Sequence, residues 1–319
     1  MAQNSSFSGK QLETVPCPLC GRFEAGPVAQ RLDKLTIVRC TNCGMSFLNP
    51  RPLAEAIGRL YEQDYYGGAA DKPIGYSDYS RSALQIKQLL PFGFDLVRQR
   101  LRPGMRTLDV GCAYGRWVYW MRKAGAIASG VDLSAEGVQW GRKHLKCDLV
   151  RGRLEDLPSG EGFDLITMVD LIEHVPDVGG LLANLRRLLK DGGLVFVQTP
   201  NWAIHRRYGP RTIWLHRGLE HLLYFEPPTL DRAFTQNGLE VLEAARPVAF
   251  IPCDIDDCDA AVAARQGPAR RLIERLGGLE LLRRVAGLLG RYRRIRHEYR
   301  FPSDPTEGAV LFGWYRKPA

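Results

Sequence analysis

Between about residue 105 and residue 200, apolar residues gather into short runs of strand length, separated by stretches where they recur at helical spacing. Thr107-Leu108-Asp109-Val110, Gly130-Val131-Asp132-Leu133, Phe163-Asp164-Leu165-Ile166 and Leu194-Val195-Phe196-Val197 are such runs. Strands that alternate with helices in this way form βαβ units and a parallel sheet covered on both faces. The pattern predicts an α/β fold with a doubly wound, mostly parallel sheet. Upstream, Leu35 to Cys40 reads as a strand, Leu53 to Gln63 as a helix and Arg81 to Arg102 as a helix preceding the first strand of the sheet. Downstream, Leu239 to Glu243 and Val310 to Tyr315 read as the last two strands, with an insertion over about Ile251 to Asp304. The expected organisation is a disordered tail over 1–13, a cysteine module over 14–50, a helical, tyrosine-rich lid over 51–94 and the sheet domain over 95–319.

Composition narrows the class. The chain has 319 residues, 45% of them hydrophobic, enough for a substantial core. No apolar run approaches the roughly 20 residues of a membrane span, and Met1 to Lys10 lacks the pattern of a secretory signal, so a cytoplasmic location is the default expectation. Of eight cysteines, four fall into Cys17-Pro-Leu-Cys20-Gly and Cys40-Thr-Asn-Cys43-Gly. Two such knuckles about 20 residues apart deliver four thiolates to a tetrahedral zinc, and four thiolates leave no open position, so the metal would be structural. Cys253 and Cys258 match no common ligand spacing and read as part of an acidic exposed loop. Cys112 and Cys147 read as small packed side chains.

The formal charge of +9 is concentrated locally. Between Ala264 and Arg300 arginines outnumber acids and interleave with leucines, an amphipathic pattern. It suits a solvated face on a packed helical insertion, a lid or dimer element, or a segment resting on an anionic membrane. Nucleic acid is not the expected partner, because the basic run lacks interleaved stacking aromatics beyond Tyr292 and Tyr299.

Candidate chemistry centres on Thr107 to Gly115, where an apolar strand enters a glycine turn with Asp109 just before it. About 20 residues on, Asp132 ends a second strand, the placement of an acid that holds ribose hydroxyls. A dinucleotide loop needs a second glycine for close approach to pyrophosphate, and here that position is Ala113. Asp109 would also oppose a phosphate at the helix N-terminus. The pair suits a nucleoside with a cationic end.

These residues resemble the class I S-adenosylmethionine-dependent methyltransferases. Leu108-Asp109-Val110-Gly111 with Gly115, Val131-Asp132, Phe163 to Val175 and Asp191 to Val197 are similar to four family motifs in order. The resemblance runs from about Asp95 to Pro247 and resumes from Gly308 to Arg316. It implies a seven-stranded sheet whose last two strands are an antiparallel edge pair. It also implies that Asp109, Gly111, Ala113 and Gly115 hold the methionine part of S-adenosylmethionine, Asp132 the ribose and Asp170 the methionine end, while the adenine meets the loop from Leu154 with Glu155 or Asp156, or backbone groups with Leu133 and Leu154. Trp117 reads as packing or as a cofactor wall.

Methyl transfer needs alignment of donor and acceptor and, for a hydroxyl acceptor, removal of a proton. Among six histidines, His174 follows the fourth strand and His221, beside Glu220, lies in the loop region after the fifth. The order of cysteine ribbon, tyrosine segment, core and Glu220-His221 is similar to sugar methyltransferases in which a Glu-His pair and a tyrosine serve deprotonation. Tyr76 and Tyr79 are the matching tyrosines. Those enzymes carry a further large C-terminal domain, whereas this sequence ends shortly after Trp314, and shorter ribbon-bearing relatives resemble O-methyltransferases of glycans, lipids or quinones. The expected function is transfer of a methyl group to a small-molecule or glycan acceptor, preferably a saccharide or lipid-linked saccharide, with histidine-assisted deprotonation. The alternatives are an RNA-modifying methyltransferase and a non-catalytic cofactor-binding scaffold.

Overall fold

In a computed structural model, residues 11–31, 33–57, 86–87, 90–160, 162–205, 209, 220–248, 303–304, 306 and 308–319 are described. Tyr76, Tyr79, Cys253, Cys258 and the basic insertion lie outside them. So does most of the tyrosine-rich segment.

The runs named above become strands where expected. They are β6 (Arg106–Val110), β7 (Ile127–Asp132), β8 (Asp148–Arg151), β9 (Phe163–Val169) and β10 (Leu189–Pro200), followed by β12 (Glu240–Val248) and β13 (Val310–Arg316). They form one seven-stranded sheet in the order β12-β13-β10-β9-β6-β7-β8. Pairings from β10 through β8 are parallel, while β13 runs antiparallel to both β10 and β12. The central strands are apolar on both faces because helices cover both. On these faces lie α1 (Phe94–Arg98), α2 (Arg116–Lys123), α3 (Ala135–Leu145), α4 (Val178–Leu188) and α5 (Pro227–Gln236). The order reverses between β6 and β9, and ligands bind beyond the carboxyl ends of strands at such a switch point.

The long helix expected over Arg81 to Arg102 is a correction. Among its described residues only the five of α1 are helical. Pro91 biases its neighbour away from helix, and Gly93 sits at a φ of 83°, so the chain turns just before Phe94.

The cysteine module consists of β2 (Ala25–Gln30), β3 (Thr36–Cys40) and β4 (Ser46–Leu48) in an antiparallel sheet. Two features extend it past the expected 14–50. β1 (Leu12–Glu13) pairs with β5 (Arg51–Pro52), so the end of the supposed tail is ordered. The fourth strand of the module's sheet is β11 (Leu223–Tyr224), which comes from the sheet domain and pairs with β4. Ile37, Met45 and Phe47 of the module share one continuous apolar core with Val197, Phe225 and Phe234 of the sheet domain. The ribbon is therefore an integral layer of the molecule.

Candidate active site

The loop after β6 is built from residues in the left-handed region: Gly111, Ala113 and Gly115 have φ of 74°, 46° and 76°. The coil's amides turn inward: Gly111 and Cys112 N–H donate to the Val131 carbonyl at 2.9 and 3.2 Å, and Gly115 N–H to the Cys112 carbonyl at 2.7 Å. Ala113 N–H donates to Asp132 Oδ2 and Ser134 N–H to Asp132 Oδ1, each at 2.8 Å. The Asp132 carboxylate is thus fixed in direction while each oxygen keeps a lone pair for a ligand. A cavity of about 1000 Å³ opens here, walled by Asp109, Gly111, Ala113, Asp132, Leu133, Leu154, Glu155 and Asp170. Of the residues expected at the cofactor, only Gly115 and the alternative adenine acid Asp156 do not line it. That glycine instead begins α2, and a Cβ there would meet Leu149 Cδ1 at 2.9 Å. Between the two candidate adenine acids the geometry favours Glu155, because Asp156 turns back to accept from Arg153 N–H at 3.2 Å. Trp117 serves both readings, lining the cavity while packing edge-on against Phe94.

Burial sets the charge of the acids. Asp109 is pushed up to about 7 by desolvation, opposed by a 2.7 Å hydrogen bond from the Thr167 hydroxyl and reinforced by the nearby Asp132. Asp170, at a φ of 50°, is raised by burial to about 6, although Gln198 Nε2 donates to its oxygens at 3.1 and 3.3 Å. These groups have strong reason to meet a cation.

On another wall of the cavity stands His174. Its Nδ1 lies 3.3 Å from the carbonyl oxygen of Glu220. A carbonyl only accepts, so this contact places the proton on Nδ1 and the lone pair on Nε2. Nε2 lies 3.8 Å from Glu173 Oε1. Glu173 is buried, takes a 2.9 Å hydrogen bond from the Thr199 hydroxyl on Oε2, and has no hydrogen-bond partner on Oε1 among the described residues. Desolvation and the neighbouring Asp170 hold its carboxyl well above the usual range. His221 packs edge-on behind His174, with ring centroids 4.7 Å apart, and is not among the cavity walls. Burial lowers His174 to about 4 and His221 well below its ordinary value, so both rings are neutral near pH 7.

Residues 83–244, half of the chain, match a family described as a methyltransferase domain. The chain belongs to that family. The chain is 33% identical over 142 residues to the ubiquinone biosynthesis O-methyltransferase of Pasteurella multocida, covering 37% of this chain and 59% of that protein. It is 31% identical over 174 residues to the enzyme of the same name from Brucella ovis, covering 50% and 70% respectively. The chain spans about three fifths of the length of the first of these relatives. Among solved structures it aligns with a chain from the complex between the Haloferax volcanii Trm112 methyltransferase activator and a methyltransferase. That likeness has a TM-score of 0.50 at 19% identity and covers 80% of this chain and 98% of the other. A SAM-dependent methyltransferase of Thermotoga maritima gives 0.51 at 17% identity, covering 82% and 99%. Both likenesses concern the fold.

Away from the cavity, the chain gathers Cys17, Cys20, Cys40 and Cys43 with all four sulfurs within 4.8 Å of one another. Cys17 and Cys43 approach to 3.4 Å and Cys20 and Cys40 to 3.6 Å, close to the edges of a tetrahedron with metal–sulfur bonds of about 2.3 Å. Burial pushes the Cys17 and Cys43 thiols up, so a thiolate set here needs a cation at its centre. The donors fit zinc. Glu173, His174 and His221 also bring potential ligand atoms within 4.8 Å, a mixed carboxylate and imidazole set.

Several site residues escaped the sequence reading. Glu173 was visible in its motif but not as a group facing the histidine. Gln198 could have been flagged as a polar residue ending the apolar run Val195-Phe196-Val197. The Glu220 contribution at His174 comes from its main-chain carbonyl, whereas the sequence suggested a carboxylate orienting His221. Ala54, Glu55 and Ile57 reach the cavity from the start of the segment expected as a lid, but no local signal marks these three residues.

Proposed function

We propose that this protein transfers the methyl group of S-adenosylmethionine to a hydroxyl of a small-molecule acceptor, with His174 receiving the hydroxyl proton. The observation that carries the reading is that Asp132, Asp170 and His174 all open onto one cavity of about 1000 Å³. That volume is at the upper end for small-molecule sites and leaves room for donor and acceptor side by side. Asp132 would hold the ribose hydroxyls and Asp109 and Asp170 the cationic methionine end. When bound, the cofactor supplies an electrophilic methyl for in-line displacement. The chain's own part is to align the two partners, exclude water and accept a proton on His174 Nε2. Glu173 Oε1, 3.8 Å from Nε2, lies where the ionised carboxylate, but not the neutral acid that burial favours in the free protein, would stabilise the resulting imidazolium.

For the acceptor, the cavity walls include Ile57, Val175, Pro176 and Leu181, the acids Glu55 and Asp177 and the cations Arg116 and Arg153. The apolar share suits an uncharged hydroxylated molecule, phenolic or lipid-linked, such as a quinol or a glycolipid. The four-cysteine ribbon would hold one structural zinc.

The test is transfer of radiolabelled methyl to panels of quinols, glycolipids and nucleotide sugars. His174→Asn should lower kcat by about 10²- to 10⁴-fold, the range of a lost general base. His174→Asn with wild-type turnover would reject the proton-acceptor assignment. No transfer by the wild type, with S-adenosylmethionine still bound, would favour the scaffold alternative.

A further inference from the structure

Arg31 and Asp33 form an ion pair within the ribbon that neither the cavity nor the cysteine cluster explains. Their side chains are 0% and 2% exposed. A buried pair is costly to desolvate and adds little net stability, so the direction of its remaining donors matters more than its existence. Arg31 Nε donates to Asp33 Oδ1 at 3.1 Å and Nη2 donates to Oδ2. This two-point contact fixes the plane of the guanidinium. Nη1 then points out of the ribbon and donates to the main-chain carbonyl of His221 at 2.7 Å, between residues 190 apart in sequence.

The segment held in this way is the one against which His174 rests. The His221 ring packs edge-on against His174, and the preceding carbonyl, of Glu220, meets His174 Nδ1. Leu222 ties the same segment to both sides, its N–H donating to the Glu173 carbonyl and its own carbonyl accepting from Leu48 N–H, each at 2.8 Å. A second donor, the Tyr224 hydroxyl, reaches the His221 carbonyl at 3.3 Å.

We infer that Arg31 is a positioning residue for the His174–His221 pair, so that the ribbon fixes the orientation of the imidazole on the cavity wall through the carbonyl of His221. Lysine in its place keeps the charge but offers one flexible ammonium where the fork served two directions, and it cannot fix Asp33 and His221 together with the same geometry. The effect on the imidazoles follows from these contacts alone. The effect on turnover additionally rests on His174 being the proton acceptor.

The experiment compares wild type and Arg31→Lys in the full chain labelled with ¹⁵N-histidine, with signals assigned through His174→Asn and His221→Asn. Melting temperature and S-adenosylmethionine affinity are measured on the same samples. The expected result is displaced or broadened His174 and His221 signals with S-adenosylmethionine affinity within about twofold of wild type. With an accepted substrate, kcat should fall by about tenfold to a hundredfold with little change in KM, as for a misplaced reacting group. Unchanged histidine signals in folded Arg31→Lys would overturn the assignment, as would a lowered melting temperature with no other change. If Arg31→Lys does not fold, the double variant Arg31→Met/Asp33→Leu removes both charges and the donor together and carries the same readouts. Altered signals without a change in kcat would support the positioning and reject only the reading of His174 as base.

Discussion

Asp109, Asp132, Asp170 and Glu173 are four acids around one space, and burial decides their charge. In the free protein each carboxyl is raised by desolvation, Asp109 to about 7 and Asp170 to about 6. A raised carboxyl means that the folded state binds more protons than the unfolded chain between the ordinary carboxylate range and the raised value. Stability of the free protein should therefore fall as pH rises from about 4 to 7. A cationic ligand reverses the sign, because it favours the ionised acids. Affinity for S-adenosylmethionine should rise over pH 5.5 to 7.5, by up to about tenfold per pH unit for each proton released. Calorimetry in buffers of different ionisation enthalpy would count those protons, and Asp109→Asn should flatten the profile. A flat wild-type profile would mean that Asp109 and Asp170 do not meet the cationic end. Asp109, Asp132 and Asp170 were legible because each ends or interrupts an apolar strand. Glu173 and Gln198 were not, since their importance lies in which atom each side chain faces.

At the scale of elements, α3 shows why the glycine loop has its shape. Gly137 and Gly141 let this helix lie against the loop's carbonyls, where a Cβ would come within 2.9 Å of the Ala113 oxygen and 2.6 Å of the Tyr114 oxygen, respectively. Gly141→Ala should push the loop outward, costing about 1–3 kcal/mol of stability as overpacking does, and weaken cofactor binding with it. Denaturant titration beside calorimetry measures both. Lost stability with unaltered binding would show that loop and helix are not coupled. The sheet was readable because apolar runs of strand length can serve few other ends, and every strand assigned from sequence is present. The helix expected before β6 was misread because its apolar spacing continues through Pro91 and Gly93, which stop the helix whatever the spacing. The contact between α3 and the loop is a matter of distance between backbones, and sequence periodicity carries no distance.

For the whole molecule, the ribbon and the sheet domain share a core, a sheet and a buried guanidinium, so they should unfold together. A single thermal transition is expected. Cys40→Ser, or a strong chelator, should remove one equivalent of zinc by elemental analysis and lower that transition by roughly 5–10 °C, the shift for a loss of a few kcal/mol. Two separate transitions, with the metal affecting only one, would show that the layers are independent. The four cysteines were legible from spacing alone. The docking was not, because its partners are short segments far apart in the chain that carry no mark of one another. That separation also bears on synthesis. The ribbon's sheet closes with β11, and Arg31 finds its carbonyl only when His221, 190 residues later, has been made. At 5–20 residues per second, the N-terminal layer waits for roughly ten seconds or more on the ribosome with one edge open. A layer translated before the sheet domain is thus completed only after most of that domain exists.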